Sequence, residues 1–349
     1  MSKNSLGIIG GGQLGSLLCA AAKKINIKTV VISDDEESPA KNFADHFIYS
    51  KYDNDEKLNE FVSMVDIITF EFENIPFEVL SKLNKRKKVE PNPEINKIVQ
   101  HRYFEKNFLL ENNIRTTKFK NVKNENDIKN NKDLLPGILK TSTLGYDGKG
   151  QYKLENLEEL NDIKINYNRE YILEKLVDLD REISVVITRY SKNNYEIYEP
   201  IENLHEQQIL RYSTIPAKIN SDLFEKSQGW AKLISERLEY VGTLCVEFFI
   251  DKEKKLYVNE IAPRVHNSGH LTINTHNICQ FENHIRAICG LEKIKLKKLC
   301  NAKMINIIGN EIENYRNKKY NKNEFFFDYL KKNIKSKRKM GHLTIIEDK

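Results

Sequence analysis

The sequence predicts a mixed α/β and α+β protein of roughly two or three domains, and three observations carry that prediction. Its 349 residues exceed one ordinary domain. Residues 5–90 alternate short apolar strand signals with helical ones, the pattern of a small parallel sheet. From residue 118 onward, strands joined by polar or glycine-rich turns replace that alternation and read as α+β.

In order, residues 6–9 read as a short buried strand and residues 14–25 as a helix, with further strands at 29–33, 47–48 and 67–70. Pro91-Asn92-Pro93 then punctuates the chain. Asn92 can cap a helix, Pro93 suits a first helical position, and the helix is expected to run to about Glu111. A first boundary therefore falls at residue 92. Residues 118–175 read as strand, helix, strand, glycine-rich hairpin and strand. Longer strands are expected at 182–189 and 195–201, then a helix at 221–238. A last unit begins near Leu291 and carries strands at 304–308 and 343–346. The expected division is 1–92, 93–290 and 291–349, with a small subdomain at about 118–177 inside the second part. Lys and Asn crowd the loops as a compositional bias, without an internal repeat.

Composition removes several function classes. Lys and Arg number 56 against 50 Asp and Glu, so the excess of +6 is small and indicates neither nucleic acid nor a membrane surface as partner. Regular apolar runs exclude a disordered chain, and one of this size buries a large core without staples. Cys19, Cys245, Cys279, Cys289 and Cys300 are odd in number and scattered, with no CxxC pair and no zinc-like spacing. That fits a reducing compartment, so a soluble cytoplasmic protein is expected. Residues 6–22 form an apolar stretch behind Lys3 that could pass for an export signal. Gly10, Gly11, Gly12 and Gly15 interrupt it, and the strand at 29–32 follows at βαβ spacing, so export is not expected. No other segment is long and apolar enough to span a bilayer.

Gly10-Gly11-Gly12-Gln13-Leu14-Gly15 satisfies G-x-G-x-x-G between a strand and a helix, where backbone N–H groups can face an anion. Asp34 and Asp35 follow the second strand, near the place of a ribose-binding acid in a dinucleotide fold. Alone, these features favour an NAD-dependent dehydrogenase, although such glycines also serve close strand–helix packing. What comes next in the chain has no place in a dehydrogenase.

Residues 245–250 and 256–261 flank a polar turn at 251–255, which signals a hairpin. If Asp251 pairs with Leu256, Glu247 falls opposite Glu260 on one face. Like charges so placed repel, and a proton, a basic partner or a cation must offset the repulsion. Two carboxylates and the Asn259 amide oxygen are hard ligands suited to Mg²⁺ carrying nucleotide phosphates. An exposed polar edge is the plainer alternative. Pro263-Arg264-Val265-His266-Asn267-Ser268-Gly269-His270 then packs a fixed cation and several donors and acceptors into a short loop.

Upstream, an apolar strand at 134–139 ends in Lys140, which can reach phosphate as a point charge. Gly145-Tyr146-Asp147-Gly148-Lys149-Gly150-Gln151 follows. Its amides can fold over the same phosphates, or it is simply a glycine-rich hairpin turn. Residues 171–177 end a strand at an expected hinge. Backbone there can pair with an adenine edge and leave Glu182 within reach of a ribose.

The order of Lys140, the Gly145 to Gln151 string, Glu174, Glu247, Asn259-Glu260 and the Pro263 to His270 string resembles the ATP-grasp ligases. Within them it is similar to the ATP-dependent carboxylases of purine biosynthesis that act on aminoimidazole ribonucleotide. The likeness runs from the glycine string at residue 10 to Arg338-Lys339-Met340-Gly341-His342. It implies ATP-grasp architecture: an N-terminal Rossmann-like parallel-sheet domain, a central ATP-grasp domain whose lid is the 118–177 subdomain, and a small C-terminal domain. It also implies ATP as co-substrate, Mg²⁺ or Mn²⁺ as cofactor, and no nicotinamide.

By that resemblance Arg102, Lys140, Gly145, Tyr146, Asp147, Gly148, Lys149, Gly150 and Gln151 would hold the phosphates. Glu174, Lys175, Leu176 and Val177 would hold adenine and Glu182 the ribose, with His205 lining the same site. Glu247 and Glu260 would bind the metal, with Asn259 beside them. Gln13, Leu14, Glu71 or Glu73, Asp147, Arg264, Asn267, Ser268, Gly269 and His270 would meet the ribonucleotide, and Lys331 and Arg338 its phosphate.

The implied reaction is attack of bicarbonate on the γ-phosphate, giving ADP and carboxyphosphate. The exocyclic amine of the ribonucleotide then captures the carboxyl group or released CO₂. Lys140 and Arg102 would stabilise the transferring phosphoryl group, and the glycine-rich loop would close against water. Catalytic roles fall to Lys140, Arg264, Asp147 and His270, with Asp147 and His270 as alternative acceptors of the amine proton. Relatives carry one or two arginines just after the Lys140 position, where Thr141, Ser142 and Thr143 stand here. A terminal helix of relatives is expected to be shortened or absent after Ile346, and a homodimer is the family expectation. A related carboxylase or a formate-dependent transformylase would share the ATP apparatus. An NAD-dependent oxidoreductase rests on the fingerprint alone.

Overall fold

The computed structural model describes residues 4–145, 150–163 and 165–347. Tyr146, Asp147, Gly148 and Lys149 of the glycine-rich loop lie outside the described residues.

The first 90 residues fold as their alternation predicts. Strands β1 (Ser5–Ile9), β2 (Lys28–Ser33), β3 (His46–Tyr49) and β4 (Ile67–Phe70) form a parallel sheet in the order β3-β2-β1-β4. Helices α1 (Gln13–Lys24), α2 (Asp55–Ser63) and α3 (Phe77–Asn84) lie between and after them. The strands read as continuous apolar runs because both faces are covered. Phe61, Leu80 and Leu83 of α2 and α3 cover one face. On the other, Leu14, Leu17, Leu18 and Ala21 of α1 pack with Phe281, Ile285 and Ile288 from much later in the chain.

The single helix expected over 93–111 is two. Helices α4 (Glu94–Val99) and α5 (Arg102–Glu111) meet at His101, whose backbone is extended at φ −123° and ψ 108°. Tertiary bonds favour the break. The Gln100 amide donates to the Glu73 and Ile75 carbonyls, and the Arg102 N–H donates to the Ser142 carbonyl at 2.9 Å. Restarting there buries Arg102, Glu105 and Lys106 together, at the i, i+3, i+4 spacing of one helix face.

Strands β5 (Phe119–Val122), β6 (Gly137–Thr141), β7 (Gln151–Leu154) and β8 (Tyr171–Lys175) form an antiparallel sheet in the order β5-β8-β6-β7, with α6 (Glu125–Lys129) after β5. Val122, Leu139, Leu154 and Leu173 give it a core of its own.

The third sheet holds β9 (Leu179–Ser191), β10 (Asn194–Ile197), β11 (Ile201–Glu206), β12 (Ile209–Ile215), β13 (Gly242–Asp251), β14 (Leu256–Ala262), β15 (Ala302–Ile308), β16 (Glu324–Asp328) and β17 (Lys339–Ile346). Their order is β14-β13-β9-β11-β12-β15-β17-β16, with β10 on β9. The strand expected at 195–201 is broken between β10 and β11, and the β11–β12 hairpin escapes the sequence reading. Helices α7 (Ser221–Arg237), α8 (Thr272–Thr275), α9 (Gln280–Cys289) and α10 (Glu311–Arg316) complete the chain. β15 pairs with β12, so strands beyond residue 302 extend the central sheet.

His284 on α9 ties the N-terminal unit to this sheet. The Thr243 N–H donates to Nδ1 at 3.0 Å, so the ring proton sits on Nε2, which faces Thr69 Oγ1 at 2.9 Å. Burial pushes the ring's pKa down to about 3, so it stays neutral.

Candidate active site

A cleft of about 1780 Å³ is lined by the start of α1 and loops of the N-terminal unit, by the other two sheets, by α5 and by the C-terminal segment. One of its walls is the β13–β14 hairpin, where Glu247 stands opposite Glu260 as expected. The route differs. Ile250, not Asp251, pairs with Leu256, and a bulge at Asn259 makes up the missing residue. The bulge has a chemical consequence. Consecutive strand residues normally point to opposite faces, whereas Asn259 and Glu260 both line the cleft.

Asn259 Oδ1 is buried with no partner among the described residues, and Arg102 Nη1 reaches Glu260 Oε2 at 3.4 Å. Burial raises the Glu247 carboxyl, but the hydrogen bond and charge of His266, with the charges of His205 and Arg264, more than offset this and hold it below the usual carboxylate range. Among the described residues, no three His, Cys, Asp or Glu side chains could form a metal cage on their own. Two facing carboxylates and an orphaned amide oxygen fit Mg²⁺, which takes one or two carboxylates and completes its shell with phosphate and water.

Glu174 on β8 is the hub of the neighbouring wall. Its Oε2 accepts from Lys140 Nζ at 3.1 Å and Thr117 Oγ1 at 2.9 Å, and lies 3.4 Å from Lys106 Nζ. Burial raises its pKa, yet Lys106, Lys140 and Arg102 bring it down to about 2. Burial lowers the pKa of Lys140 itself. Glu105 is pushed up to about 8 by burial and by the Glu260 charge, so it is largely neutral near pH 7. Arg102, Lys106 and Lys140 thus outnumber Glu174, a surplus that suits a polyphosphate. Lys106 and Glu105 escape the sequence reading. Their signal is the helical spacing from Arg102.

Lys175, Leu176 and Val177 continue this wall. Glu182 Oε2 lies 2.8 Å from His205 Nδ1 on it; burial lowers the histidine pKa, and Glu182 raises it by more. Gly145 and Gln151 also line the cleft, whereas Gly150, at φ +72°, backs onto the Thr141 side chain.

At the opposite end the glycine fingerprint is already filled. Glu71 accepts from the Gly12 N–H at 2.9 Å and the Gly15 N–H at 3.2 Å, at the head of α1. A Cβ on Gly10 or Gly12 would come within 2.8 or 2.7 Å of the Glu71 side chain, so these glycines make room for it. The chain's own carboxylate stands where a dinucleotide's pyrophosphate would, and the dehydrogenase reading falls.

Glu73 binds Arg264 through both Nε and Nη2. Burial raises the Glu73 pKa, but Arg264 takes it below the usual carboxylate range. Lys331 Nζ donates to Gln13 Oε1 at 2.8 Å, and Leu14 lies beside them on the cleft wall. Arg338 is at the rim, donating to the Asn333 carbonyl at 3.1 Å.

The 267–270 loop divides. Asn267 lines the cleft, with both amide atoms unpartnered among the described residues. Ser268, Gly269 and His270 instead turn inward through the tight turn Ser268–Leu271, all fully buried, which corrects the expectation that the whole loop faces substrate. A Cβ on Gly269 would strike the Gln280 amide at 2.5 Å. His270 sits among Phe281, Tyr329 and His342, and burial pushes its pKa well down.

A nucleotide-sized cleft walled by a small antiparallel sheet, a larger one and a cation cluster defines an ATP-grasp ligase. Family models match in sequence: a ribonucleotide synthetase preATP-grasp domain at 3–100, an ATP-grasp domain at 107–281, and a phosphoribosylaminoimidazole carboxylase C-terminal domain at 302–349. The chain is 39% identical to the N5-carboxyaminoimidazole ribonucleotide synthase of Brucella melitensis, covering 99% of this chain and 96% of that one. The crystal structure of N5-carboxyaminoimidazole synthetase from Staphylococcus aureus complexed with ADP is similar at TM-score 0.92 and 34% identity, covering 99% and 94% of the two chains. The Aspergillus clavatus synthase in complex with ADP and 5-aminoimidazole ribonucleotide gives 0.90 at 25%, with the same coverage. The chain belongs to the N5-carboxyaminoimidazole ribonucleotide synthase family.

Proposed function

We propose that this protein carboxylates 5-aminoimidazole ribonucleotide with bicarbonate and ATP, giving N5-carboxyaminoimidazole ribonucleotide, ADP and phosphate in purine biosynthesis. The observation that carries it is the Asn259 bulge, which brings Glu247, Asn259 and Glu260 into one cleft with Arg102 and Lys140. Those two cations hold the phosphate chain. Glu247 and Glu260, with Asn259, would hold Mg²⁺ or Mn²⁺, which neutralises phosphate charge when bound. A bicarbonate oxygen attacks the γ-phosphorus and the bond to the ADP oxygen breaks. The exocyclic amine then takes the carboxyl group of carboxyphosphate, directly or as CO₂, while phosphate and a proton leave.

Arg102 and Lys140 are buried, so each charge acts through little water and needs little reorganisation. Adenine and ribose fall to the wall of Glu174, Lys175, Leu176, Val177 and Glu182, with His205 beside them. Arg264, aligned by Glu73, faces the ribonucleotide with Gln13 and Asn267, and Lys331 and Arg338 take its phosphate. Of the two proton acceptors considered, Asp147 lies outside the described residues, and His270 is neutral and one layer behind the cleft wall. For the division at residues 92 and 290, the family models change over between 100 and 107, later than residue 92, and between 281 and 302, which brackets residue 290. Among the described residues no helix is long and apolar enough to cross a membrane, and five free cysteines suit the cytoplasm. A homodimer is the family reading, which sedimentation velocity tests. The central experiment is a coupled ADP assay. ADP release should require both the ribonucleotide and bicarbonate, whereas release supported by formate would make the protein a transformylase.

A further inference from the structure

We infer that Lys106 is a positioning residue: the standing counter-ion of Glu174, whose presence lets Lys140 exchange Glu174 for the phosphate chain. The inference rests on the reading that Lys140 and Arg102 hold the nucleotide phosphates. Lys140 and Glu174 line the cleft, whereas Lys106, fully buried on α5, stands behind its wall. Lys106 Nζ donates to Thr116 Oγ1 at 2.8 Å and to Thr117 Oγ1 at 3.1 Å, and lies 3.4 Å from Glu174 Oε2. An ammonium only donates, so each hydroxyl sends its own proton onward. Thr116 donates to the Val258 carbonyl on β14 at 2.8 Å, and Thr117 to Glu174 Oε2 at 2.9 Å. The three donors of Lys106 are therefore all engaged, and its place is fixed between β14 and β8.

Lys140 is held differently. Its Nζ reaches the same Glu174 oxygen at 3.1 Å, from the end of β6 that borders the cleft. Burial lowers the Lys140 pKa, Glu174 raises it, and the Arg102 and Lys106 charges lower it again, so Glu174 attracts this lysine while its neighbours repel it. A phosphate in the cleft offers Lys140 a second anion, but taking it means leaving Glu174. A buried carboxylate that loses its only cation is strongly destabilising. Lys106 removes that obstacle, because Glu174 keeps a cation and the Thr117 hydroxyl when Lys140 departs. Burial raises the Glu174 pKa, and the Lys106 charge lowers it ahead of the charges of Lys140 and Arg102. Glu174 therefore stays paired on its buried side whichever anion Lys140 binds.

The test is a double-mutant cycle on the full-length protein, with ADP and adenosine affinities read by calorimetry. Lys106→Met should weaken ADP binding about tenfold, the scale of one charge-assisted contact, because Lys140 is then tied to Glu174. Adenosine has no phosphate for Lys140, so its affinity should stay within about twofold. In a Glu174→Gln background no carboxylate needs a counter-ion, and adding Lys106→Met should change ADP affinity by less than about twofold. Equal ADP losses in the two backgrounds overturn the inference, since Lys106 would then act as a general charge or a structural support. Unchanged ADP affinity in Lys106→Met overturns it too, as does an equal loss for adenosine. Should Lys106→Met not fold, Thr117→Val takes its place in the cycle by cutting the link between Lys106 and Glu174. A loss of about threefold for ADP is then expected in the parent background alone. No loss there, or the same loss beside Glu174→Gln, overturns the inference. If Lys140→Met also binds ADP like the wild type, it is the phosphate reading that fails.

Discussion

The two ends of the cleft treat charge in opposite ways. At the N-terminal end the charged groups are matched within the chain: Glu71 by the amides of Gly12 and Gly15, Glu73 by Arg264, Lys331 by Gln13. At the nucleotide end, Arg102, Lys106 and Lys140 crowd around Glu174, and Arg102 also reaches Glu260. A matched wall holds its shape without a ligand and can recognise a small substrate by directed donors. A cation surplus is costly when empty and is relieved by a polyanion. In the proposed function ATP belongs at the cation-rich end and the ribonucleotide at the matched one, and four experiments bear on that difference.

The largest effect is expected from Glu260→Gln, which halves the carboxylate pair between the two ends. Turnover should fall by roughly two orders of magnitude or more, the scale of losing one electrostatic contact at a reacting phosphoryl group. Metal-free nucleotide affinity by calorimetry should barely move. Near-normal turnover would break the comparison, because the hairpin would then belong to neither end.

Lys140→Met comes next. Losing a charge-assisted contact costs about 1.5–3 kcal/mol, so the Michaelis constant for ATP should rise about tenfold or more while that for the ribonucleotide holds. Arg338→Ala should show the reverse: a rise approaching about tenfold for the ribonucleotide, moderated by the partial exposure of Arg338, and little change for ATP. Swapped outcomes in this pair would exchange the two ends.

The smallest effect concerns Glu105 and stability. Its folded pKa, about 8, lies above the ordinary 4.5 of the unfolded chain. Its contribution is therefore full below about pH 4.5 and lost as pH rises toward about 8. Glu105→Gln imitates the protonated form, so its advantage over the parent should grow with pH, by on the order of 1 kcal/mol or more between pH 5 and 8 in urea unfolding. A pH-independent difference would mean that Glu105 is ionised, and that the nucleotide end has less cation surplus than its geometry indicates.

Much of this architecture is legible in short stretches of sequence. The strands at residues 6–9, 29–33 and 67–70 and the hairpin over 245–261 announce themselves by apolar runs and polar turns, and they fold where they are read. The residue types at the site are legible too, because hard carboxylates, a strand-end lysine and glycine-rich loops are local strings. Two of the failures are non-local. The helix read through residue 101 breaks because Glu73, Ile75 and Ser142 offer its backbone and side chains better partners than the helix does. The 267–270 loop turns inward because Gln280 and the Phe281–Tyr329–His342 cluster fill the space around it.

The amino-acid sequence by itself determined which chemistry is available: two carboxylates on one hairpin, an arginine and a lysine for phosphate, and a backbone that alternates strands and helices over its first part. Periodicity and turn preference act over a few residues, so they survive being read in isolation. Which of those groups meet was left to the tertiary structure. Glu247 and Glu260 face each other only through a bulge set by the packing of both strands, and the fingerprint amides go to Glu71 rather than to a ligand. Lys331 finds its partner in Gln13, 318 residues away, because hydrogen bonds and buried charges are satisfied in space, without regard to order along the chain.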